Sequence, residues 1–281
     1  MPADKIAAGG ADWVENWAQL VRERDTRPTR AGTNVNAWDE RAARFAQMAE
    51  DLDPESDPLV TTVARSLRPS DSLLDVGAGA GRYTMPLAPL VGRVTAVEPS
   101  AGMRGALERG VAARSLANVT VIPASWQDAA VDSHDVVLVA NVIQMIEDVV
   151  PFIEKLDATA RRACYLFIRV EPREAALAPL WRQVWGSEPL REPNFLDLYN
   201  LLFSLGIRPQ ARLAVRRPEE RFADLDAAVA MARATLSLTP DDRRHDERIR
   251  SFLEGRLTPQ GDGSLAGSFS PQSAIVWWDK A

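Results

Sequence analysis

The sequence predicts an α/β protein built on a doubly wound, mostly parallel sheet of seven strands. From residue 72 onwards, short segments rich in Val, Leu and Ile alternate with helical segments, which is the order expected of a parallel sheet covered on both faces. A glycine-rich turn separates the first strand from the helix that follows it. The strands are expected near residues 72–76, 93–97, 118–122, 135–140, 163–170, 211–217 and 274–278.

Helical patterns precede the first strand. Apolar side chains recur at helical spacing over residues 13–21 and again over 38–48. The pair Asp57-Pro58 predicts the start of a third helix, because aspartate caps a helix N-terminus and proline fits the first helical position. These patterns predict an N-terminal helical cap or lid over residues 1–68.

The remaining residues, 69–281, are expected to form one sheet domain with a helical insertion at 172–210, after the fifth strand. Pro86 and Pro89 predict that the first crossover helix is short or kinked, because proline inside a helix removes a hydrogen bond. Further along, we expect one helix over residues 224–236. The expected elements beyond it are a helix capped by 239–242 and a Gly/Ser-rich loop over 261–270.

Composition excludes several classes of protein. The chain has 281 residues, 46% of them apolar, and a net charge of −6, which is typical of a globular protein and unsuited to nucleic acid. No apolar run is long enough for a membrane span, and the first residues lack a signal-peptide pattern. With Cys164 as its single cysteine, the chain is expected to be cytoplasmic. His134 and His245 are expected at the surface, and no metal site is expected.

The turn after the first strand carries the main functional signal. Asp75 is followed by glycine at alternate positions, Gly77, Gly79 and Gly81. Glycines there let the backbone adopt unusual dihedral angles and approach a ligand closely, at the strand edge where such sheets bind ligands. A dinucleotide-binding fingerprint would need glycine where the chain has Arg82, which disfavours a nicotinamide-dependent oxidoreductase.

The second strand ends in another acid. Glu98 lies 21 positions after Gly77, close to the spacing at which a carboxylate accepts hydrogen bonds from ribose hydroxyls. A carboxylate suits a vicinal diol because it can accept two hydrogen bonds. The pattern therefore predicts a ribose-containing ligand.

The pattern Asp-x-Gly-x-Gly-x-Gly, with an acid after the second strand, resembles that of class I S-adenosylmethionine-dependent methyltransferases over about residues 38–170. The resemblance implies a Rossmann-like methyltransferase fold, S-adenosyl-L-methionine as cofactor and S-adenosyl-L-homocysteine as product. It also implies that the glycine loop surrounds the amino-acid half of the cofactor, with Asp75 near its ammonium group. The cofactor-binding residues that it implies are Asp75, Gly77, Ala78, Gly79, Gly81, Glu98, Pro99, Met103, Ser125, Trp126, Asn141 and Val142.

The acceptor is less defined by the sequence. Candidate acceptor residues are Trp38, Gln144, Trp181, Trp185 and Tyr199. For the four aromatic residues, and for Trp126, core packing is an equal alternative. The sequence lacks the motifs by which related enzymes methylate nucleobases or use a metal, which favours a small-molecule acceptor methylated mainly by proximity and desolvation, with no catalytic base evident.

Two other functions stay open at this stage. A cofactor-binding protein without transferase activity would use its C-terminal half to bind a partner, and a nicotinamide-dependent oxidoreductase is disfavoured by Arg82. We expect no nucleic-acid or membrane partner, and a homodimer is compatible with the sequence.

Overall fold

The computed structural model describes residues 12–25, 38–172, 174–189, 191–214, 220–239 and 241–280. In chain order the strands are β1 (Ser72–Val76), β2 (Arg93–Val97), β3 (Val119–Ile122), β4 (His134–Ala140), β5 (Ala160–Arg169), β6 (Gln210–Leu213), β7 (Glu220–Phe222), β8 (Thr258–Pro259), β9 (Leu265–Gly267) and β10 (Ser273–Asp279). The helices are α1 (Trp13–Asp25), α2 (Ala42–Glu50), α3 (Pro58–Ala64), α4 (Thr84–Leu87), α5 (Ala101–Ala113), α6 (Val149–Thr159), α7 (Ala178–Trp185), α8 (Phe195–Ser204), α9 (Leu225–Thr235) and α10 (Asp246–Glu254). None of the helices in these ranges is long and apolar enough to cross a membrane.

The central sheet has seven strands in the order β3-β2-β1-β4-β5-β10-β6. The five strands from β3 to β5 pair in parallel, and β10 lies antiparallel between β5 and β6. The sequence prediction of a seven-stranded, mostly parallel sheet is thus confirmed. The order changes direction beside β1, so the carboxyl ends of β1, β2 and β4 meet at one edge.

Both faces of the sheet are buried. Neighbouring residues of a strand point to opposite faces, so Leu73 and Leu74 enter two different cores. Leu74 packs with residues of α1, α6 and α8, whereas Leu73 packs with residues of α3 and α4. This covering explains why the central strands are apolar without alternation.

Local sequence signals determine several helix boundaries. The Asp57 carboxylate accepts hydrogen bonds from the backbone of Leu59 and Val60, and Pro58 occupies the first turn, so α3 begins where the sequence predicts. The first crossover helix, α4, has four residues and continues as a 3-10 helix over Ala88–Leu90, in agreement with the two prolines.

The structure corrects two expectations in the C-terminal third. The expected loop over 261–270 contains β9, which lies between β7 and β8 in a small separate sheet; strands of two or three residues are too short to show periodicity. Helix α10 begins at Asp246 rather than near 239–242, because Asp242 binds Arg244 in a turn instead of capping a helix. The sixth strand ends at Leu213, and residues 215–217 of the expected strand lie outside the described residues.

His134 was expected at the surface and is instead buried at the start of β4. Its two ring nitrogens lie 2.8 Å from the Thr95 Oγ1 and from the backbone oxygen of Asp132. Because both nitrogens have partners, the ring is buried without an unpaired polar atom. Burial lowers the pKa of His134, which keeps the ring neutral.

Candidate active site

The glycine loop after β1 lies at the edge of the sheet where β2 also ends. The backbone nitrogens of Gly77 and Ala78 donate to the Val97 oxygen at 2.8 and 3.2 Å. The backbone nitrogen of Glu98 donates in turn to the Ile122 oxygen at the end of β3. These hydrogen bonds bring the glycine loop and the acid after β2 together, as the sequence predicts for a site at this edge.

The three loop glycines have different physical reasons to be glycine. All have positive φ, +71° at Gly77, +56° at Gly79 and +88° at Gly81, a region that side chains with a Cβ rarely adopt. A Cβ on Gly77 would lie 2.4 Å from Val142 Cγ2, and one on Gly81 2.5 Å from Leu107 Cδ1. A Cβ on Gly79 would meet no described atom within 4 Å. Gly79 therefore faces open space that a ligand can enter.

Glu98 is buried beside this open space. Its Oε2 accepts a hydrogen bond from the Gly79 backbone nitrogen and its Oε1 accepts one from the Ser100 backbone nitrogen, both at 2.8 Å. A carboxylate oxygen has two lone pairs, so each oxygen can accept a further hydrogen bond from a ligand. Burial raises the pKa of Glu98, and the two backbone hydrogen bonds oppose that shift.

Asp75 is more deeply buried, at 2% exposure. The Thr84 Oγ1 donates to its Oδ2 at 2.5 Å. Burial raises the pKa of Asp75 to about 6; the Thr84 hydrogen bond opposes this shift and the nearby charge of Glu98 adds to it. Two buried acids near one another make this edge of the sheet strongly favourable for a cationic ligand group.

The turn after β4 forms the next wall of the site. Asn141 has a φ of +57°, and its backbone nitrogen donates to the Phe167 oxygen of β5. Such a backbone angle is uncommon outside glycine but is tolerated best by Asn and Asp. Val142 contacts the glycine loop through the close approach to Gly77. Gln144 is buried, and its Oε1 has no hydrogen-bond donor among the described residues.

Helix α1 covers the turn after β4. The Trp17 Nε1 donates to the Ile146 oxygen at 2.8 Å, and the Arg24 guanidinium donates to the Gln144 oxygen at 2.9 Å. Trp17 and Arg24 are both buried by this contact. The helix thus lies over the segment that carries Gln144.

A second N-terminal segment lies on the other side of the site. Trp38 and Phe45 stack edge to face at 5.8 Å and pack against Ala80 of the glycine loop and against Met103 of α5. Trp38, a predicted acceptor residue, therefore lies beside the predicted cofactor residues. Asp39, which sequence reasoning did not select, accepts hydrogen bonds from Ser100 and Gly102, residues more than 60 positions away.

The turn after β3 is held by a lysine. The Lys155 Nζ donates to the backbone oxygens of Trp126, Gln127 and Ala129, at 2.6, 3.1 and 2.8 Å. Trp126 is buried against Phe152, and the Lys155 Nζ lies 4.5 Å from the centre of its ring. Core packing is thus what the structure describes for Trp126, and its contact with the cofactor stays a prediction.

The other predicted cofactor residues differ in exposure. Ser125 is half-buried and its hydroxyl donates to the Asp128 carboxylate at 2.6 Å, so it organises the turn after β3. Met103 is buried in α5, while Pro99 is exposed and its backbone oxygen accepts from the Arg104 guanidinium.

The predicted acceptor residues fall into separate groups. Trp181 and Trp185 lie on α7; Trp181 packs with the C-terminal cluster that contains α9 and α10, and Trp185 donates its Nε1 to the Leu236 oxygen. Tyr199 lies on α8 and stacks edge to face on Phe195, and α8 packs against α1. Within the described residues, α1 contacts both the Gln144 backbone and α8, whereas α7 packs in the C-terminal cluster.

Comparison with known proteins finds a family model that is similar to the sheet region of the chain. Residues 74–168, about a third of the chain, match the family model described as a methyltransferase domain. This match agrees with the resemblance to class I S-adenosylmethionine-dependent methyltransferases that the sequence predicts.

Other comparisons cover more of the chain than this domain. The YcgJ protein from Bacillus subtilis has a TM-score of 0.53 at 16% identity, covering 78% of this chain and 97% of that chain. A protein from Bacillus halodurans C-125, described as a methyltransferase by proposal only, has a TM-score of 0.54 at 12% identity, covering 78% and 96%. At these identities the likeness shows the fold alone. An uncharacterized protein of Haemophilus influenzae is 27% identical over 252 residues, which cover 86% of this chain and 88% of the relative.

Proposed function

We propose that this protein transfers a methyl group from S-adenosyl-L-methionine to a small-molecule acceptor and releases S-adenosyl-L-homocysteine. The observation that carries the proposal is the open space at Gly79 beside the buried carboxylate of Glu98. These two residues lie at the edge of the sheet where ligands of doubly wound folds bind, within a methyltransferase domain.

The hydrogen-bond acceptors and the open space present fit this cofactor. Glu98 has unused acceptor capacity for two ribose hydroxyls, and Gly79 leaves room for the amino-acid half. Asp75 would stabilise the ammonium group, because a positive charge next to a buried carboxylate favours its ionised form. When bound, the cofactor supplies an electrophilic methyl group on a sulfonium.

The residues of this chain contribute mainly position and exclusion of water. In-line displacement needs the acceptor held in line with the methyl group and the sulfur, and correct placement can supply much of the rate. Helix α1, held by Trp17 and Arg24, covers the turn that carries Gln144 and limits access of water there. The Gln144 Oε1 is buried without a hydrogen-bond donor among the described residues. An N–H or O–H group of the methylated substrate could donate a hydrogen bond to it.

A small-molecule acceptor fits the charge of the chain as well as the covered site. The net charge of −6 opposes binding to a nucleic-acid backbone. A cytoplasmic location belongs to the same proposal, since the thiol of Cys164 is buried and unpaired, as is usual in a reducing compartment. A homodimer stays a prediction.

The first test is thermal unfolding with S-adenosylmethionine, S-adenosylhomocysteine, NAD and no ligand. A ligand at 100 times its dissociation constant stabilises by about 2.7 kcal/mol, which corresponds to roughly 5–10 °C here. We expect that shift with both sulfur ligands and none with NAD. No shift with either sulfur ligand would contradict the proposal, and a shift with NAD alone would favour the oxidoreductase.

Calorimetric titration of variants tests the site itself. Glu98→Ala and Gly79→Val should each abolish S-adenosylhomocysteine binding, because one removes the diol acceptor and the other fills the open space. Glu108→Ala, an exposed glutamate on α5, is the matched control and should bind like the unmodified protein. Unchanged affinity in both site variants would refute the assignment. Binding without turnover across a panel of acceptors would favour a binding protein over an enzyme.

A further inference from the structure

The short segment before α2 is joined to the cofactor edge by one carboxylate. The Asp39 Oδ1 accepts hydrogen bonds from the Ser100 hydroxyl at 2.6 Å and from the Gly102 backbone nitrogen at 2.8 Å. Both partners belong to the N-terminus of α5, where a negative charge is stabilised by the helix dipole. These two hydrogen bonds lower the pKa of Asp39, so the carboxylate is ionised at neutral pH.

Ser100 connects this carboxylate to Glu98. The Ser100 hydroxyl has one hydrogen to donate, and it is given to Asp39, which leaves the oxygen free to accept from the Met103 nitrogen at 3.1 Å. The Ser100 backbone nitrogen donates to the Glu98 Oε1, and the other Glu98 oxygen accepts from Gly79. A continuous hydrogen-bonded chain therefore runs from Asp39 to the open space at Gly79.

The absence of a side chain at Gly102 of α5 also permits this contact. A Cβ on Gly102 would lie 2.9 Å from the Asp39 Cα and 3.1 Å from its backbone oxygen, so Asp39 can approach α5 only because residue 102 is glycine. Beside this contact, Trp38 and Phe45 pack on Ala80 and Met103. Two independent features, the hydrogen bonds and the missing Cβ, thus hold the same segment against the site.

We propose that Asp39 is a positioning residue for the cofactor: it fixes Ser100, and through Ser100 it holds Glu98 in the geometry that binds the ribose hydroxyls. The proposal rests on the proposed function, because it presumes a ribose-containing cofactor at Glu98. The hydrogen bonds of Asp39 are to the start of α5, so the proposed effect on the ligand acts through Ser100.

The test is titration of the full-length protein with S-adenosylhomocysteine. Asp39→Ala should raise the dissociation constant roughly 10-fold or more, since a hydrogen bond to a charged group contributes about one factor of ten or greater. Asp39→Asn keeps an acceptor oxygen for both donors and should recover most of the affinity. Equal affinity of Asp39→Ala and the unmodified protein would overturn the proposal.

A glycine pair provides the matched control if Asp39→Ala folds poorly. Gly102→Ala forces the Asp39 segment away and should weaken binding about as much as Asp39→Ala. Gly105→Ala, three residues along the same helix, meets only the Arg109 guanidinium at 3.4 Å and should leave affinity unchanged. If Gly102→Ala and Gly105→Ala bind with equal affinity, the contact at Gly102 has no role in binding and the proposal is wrong.

A second ligand separates positioning from a general structural role. The 2′,3′-dideoxy analogue of S-adenosylhomocysteine lacks the hydroxyls that Glu98 would bind. Asp39→Ala should therefore reduce the preference for S-adenosylhomocysteine over the analogue, whereas a general loss of structure would weaken both ligands equally and overturn the proposal. Failure of the unmodified protein to bind S-adenosylhomocysteine would instead refute the proposed function, so the two failures are distinguishable.

Discussion

Asp75→Asn should make the ligand-free protein more stable at pH 7.5 and weaken its binding of S-adenosylhomocysteine roughly 10–100-fold. Asp75 is buried, and burial raises its pKa from 3.8 to about 6. Above pH 6 the ionised carboxylate therefore lowers the free energy of unfolding. Asp75→Asn should raise it by on the order of 2 kcal/mol, after the cost of the unpaired hydrogens of the asparagine amide is subtracted. An asparagine oxygen can still accept from Thr84.

The pH dependence follows from the direction of this shift. A carboxyl group whose folded pKa is raised contributes stability that is fully present below pH 4 and is lost as pH rises through about 6. The melting temperature of Asp75→Asn minus that of the unmodified protein should therefore grow between pH 4 and 6 and stay constant above 7. A difference that is negative at pH 7.5, or flat across this range, would contradict the assignment of a destabilising charge to Asp75.

Binding should respond in the opposite sense. A cationic ammonium group near Asp75 favours the ionised carboxylate, so the affinity of the unmodified protein should fall as pH drops below about 6. Asp75→Asn should bind roughly 10–100-fold more weakly at pH 7.5, the range for losing one charged hydrogen bond. Calorimetric titration at pH 5, 6 and 7.5 measures both effects. Gain of stability with unchanged affinity would place the ammonium group elsewhere.

The predictable parts of the fold are those with long, repeated patterns. Apolar strands and crossover helices alternate several times over residues 72–170, so the pattern is repeated. The Asp57-Pro58 cap is a local signal. Strand β8 has two residues, one of them Pro259, and carries no pattern that sequence reasoning could detect. His134 shows the converse, because its burial depends on Thr95, a partner 39 positions away on another strand.

The same limit applies to the candidate site. The sequence predicts the pattern formed by Asp75, the loop glycines and Glu98, because its spacing is set by one strand-turn-helix unit and the strand beside it. Asp39 was not selected, because its partners in α5 become neighbours only after the chain folds. Trp126 and Trp38 were ambiguous for a chemical reason, since an indole serves core packing and ligand contact equally well. Structure resolves their surroundings, with Trp126 in the core and Trp38 beside the glycine loop.

Lys155→Met should destabilise the protein by roughly 2–4 kcal/mol, or about 5–15 °C in melting temperature. The Lys155 ammonium donates to three backbone oxygens of the turn after β3, and methionine would leave all three without that donor. The chain has only 3 lysines among its 33 basic residues, yet one of them is here. A compact ammonium with three rotatable donors suits three converging oxygens, and a planar guanidinium does not.

Two further variants test this explanation. Lys155→Arg keeps the charge and should still lose about half as much stability as Lys155→Met, because the rigid fork cannot reach all three oxygens. Glu154→Met places a methionine at the preceding, exposed position of α6, and this variant should melt within about 2 °C of the unmodified protein. Equal melting temperatures for Lys155→Met and Glu154→Met would show that the three oxygens do not depend on this donor. Since the turn carries the predicted cofactor-binding residues Ser125 and Trp126, Lys155→Met should also weaken S-adenosylhomocysteine binding, which ties the stability of this turn to the cofactor site.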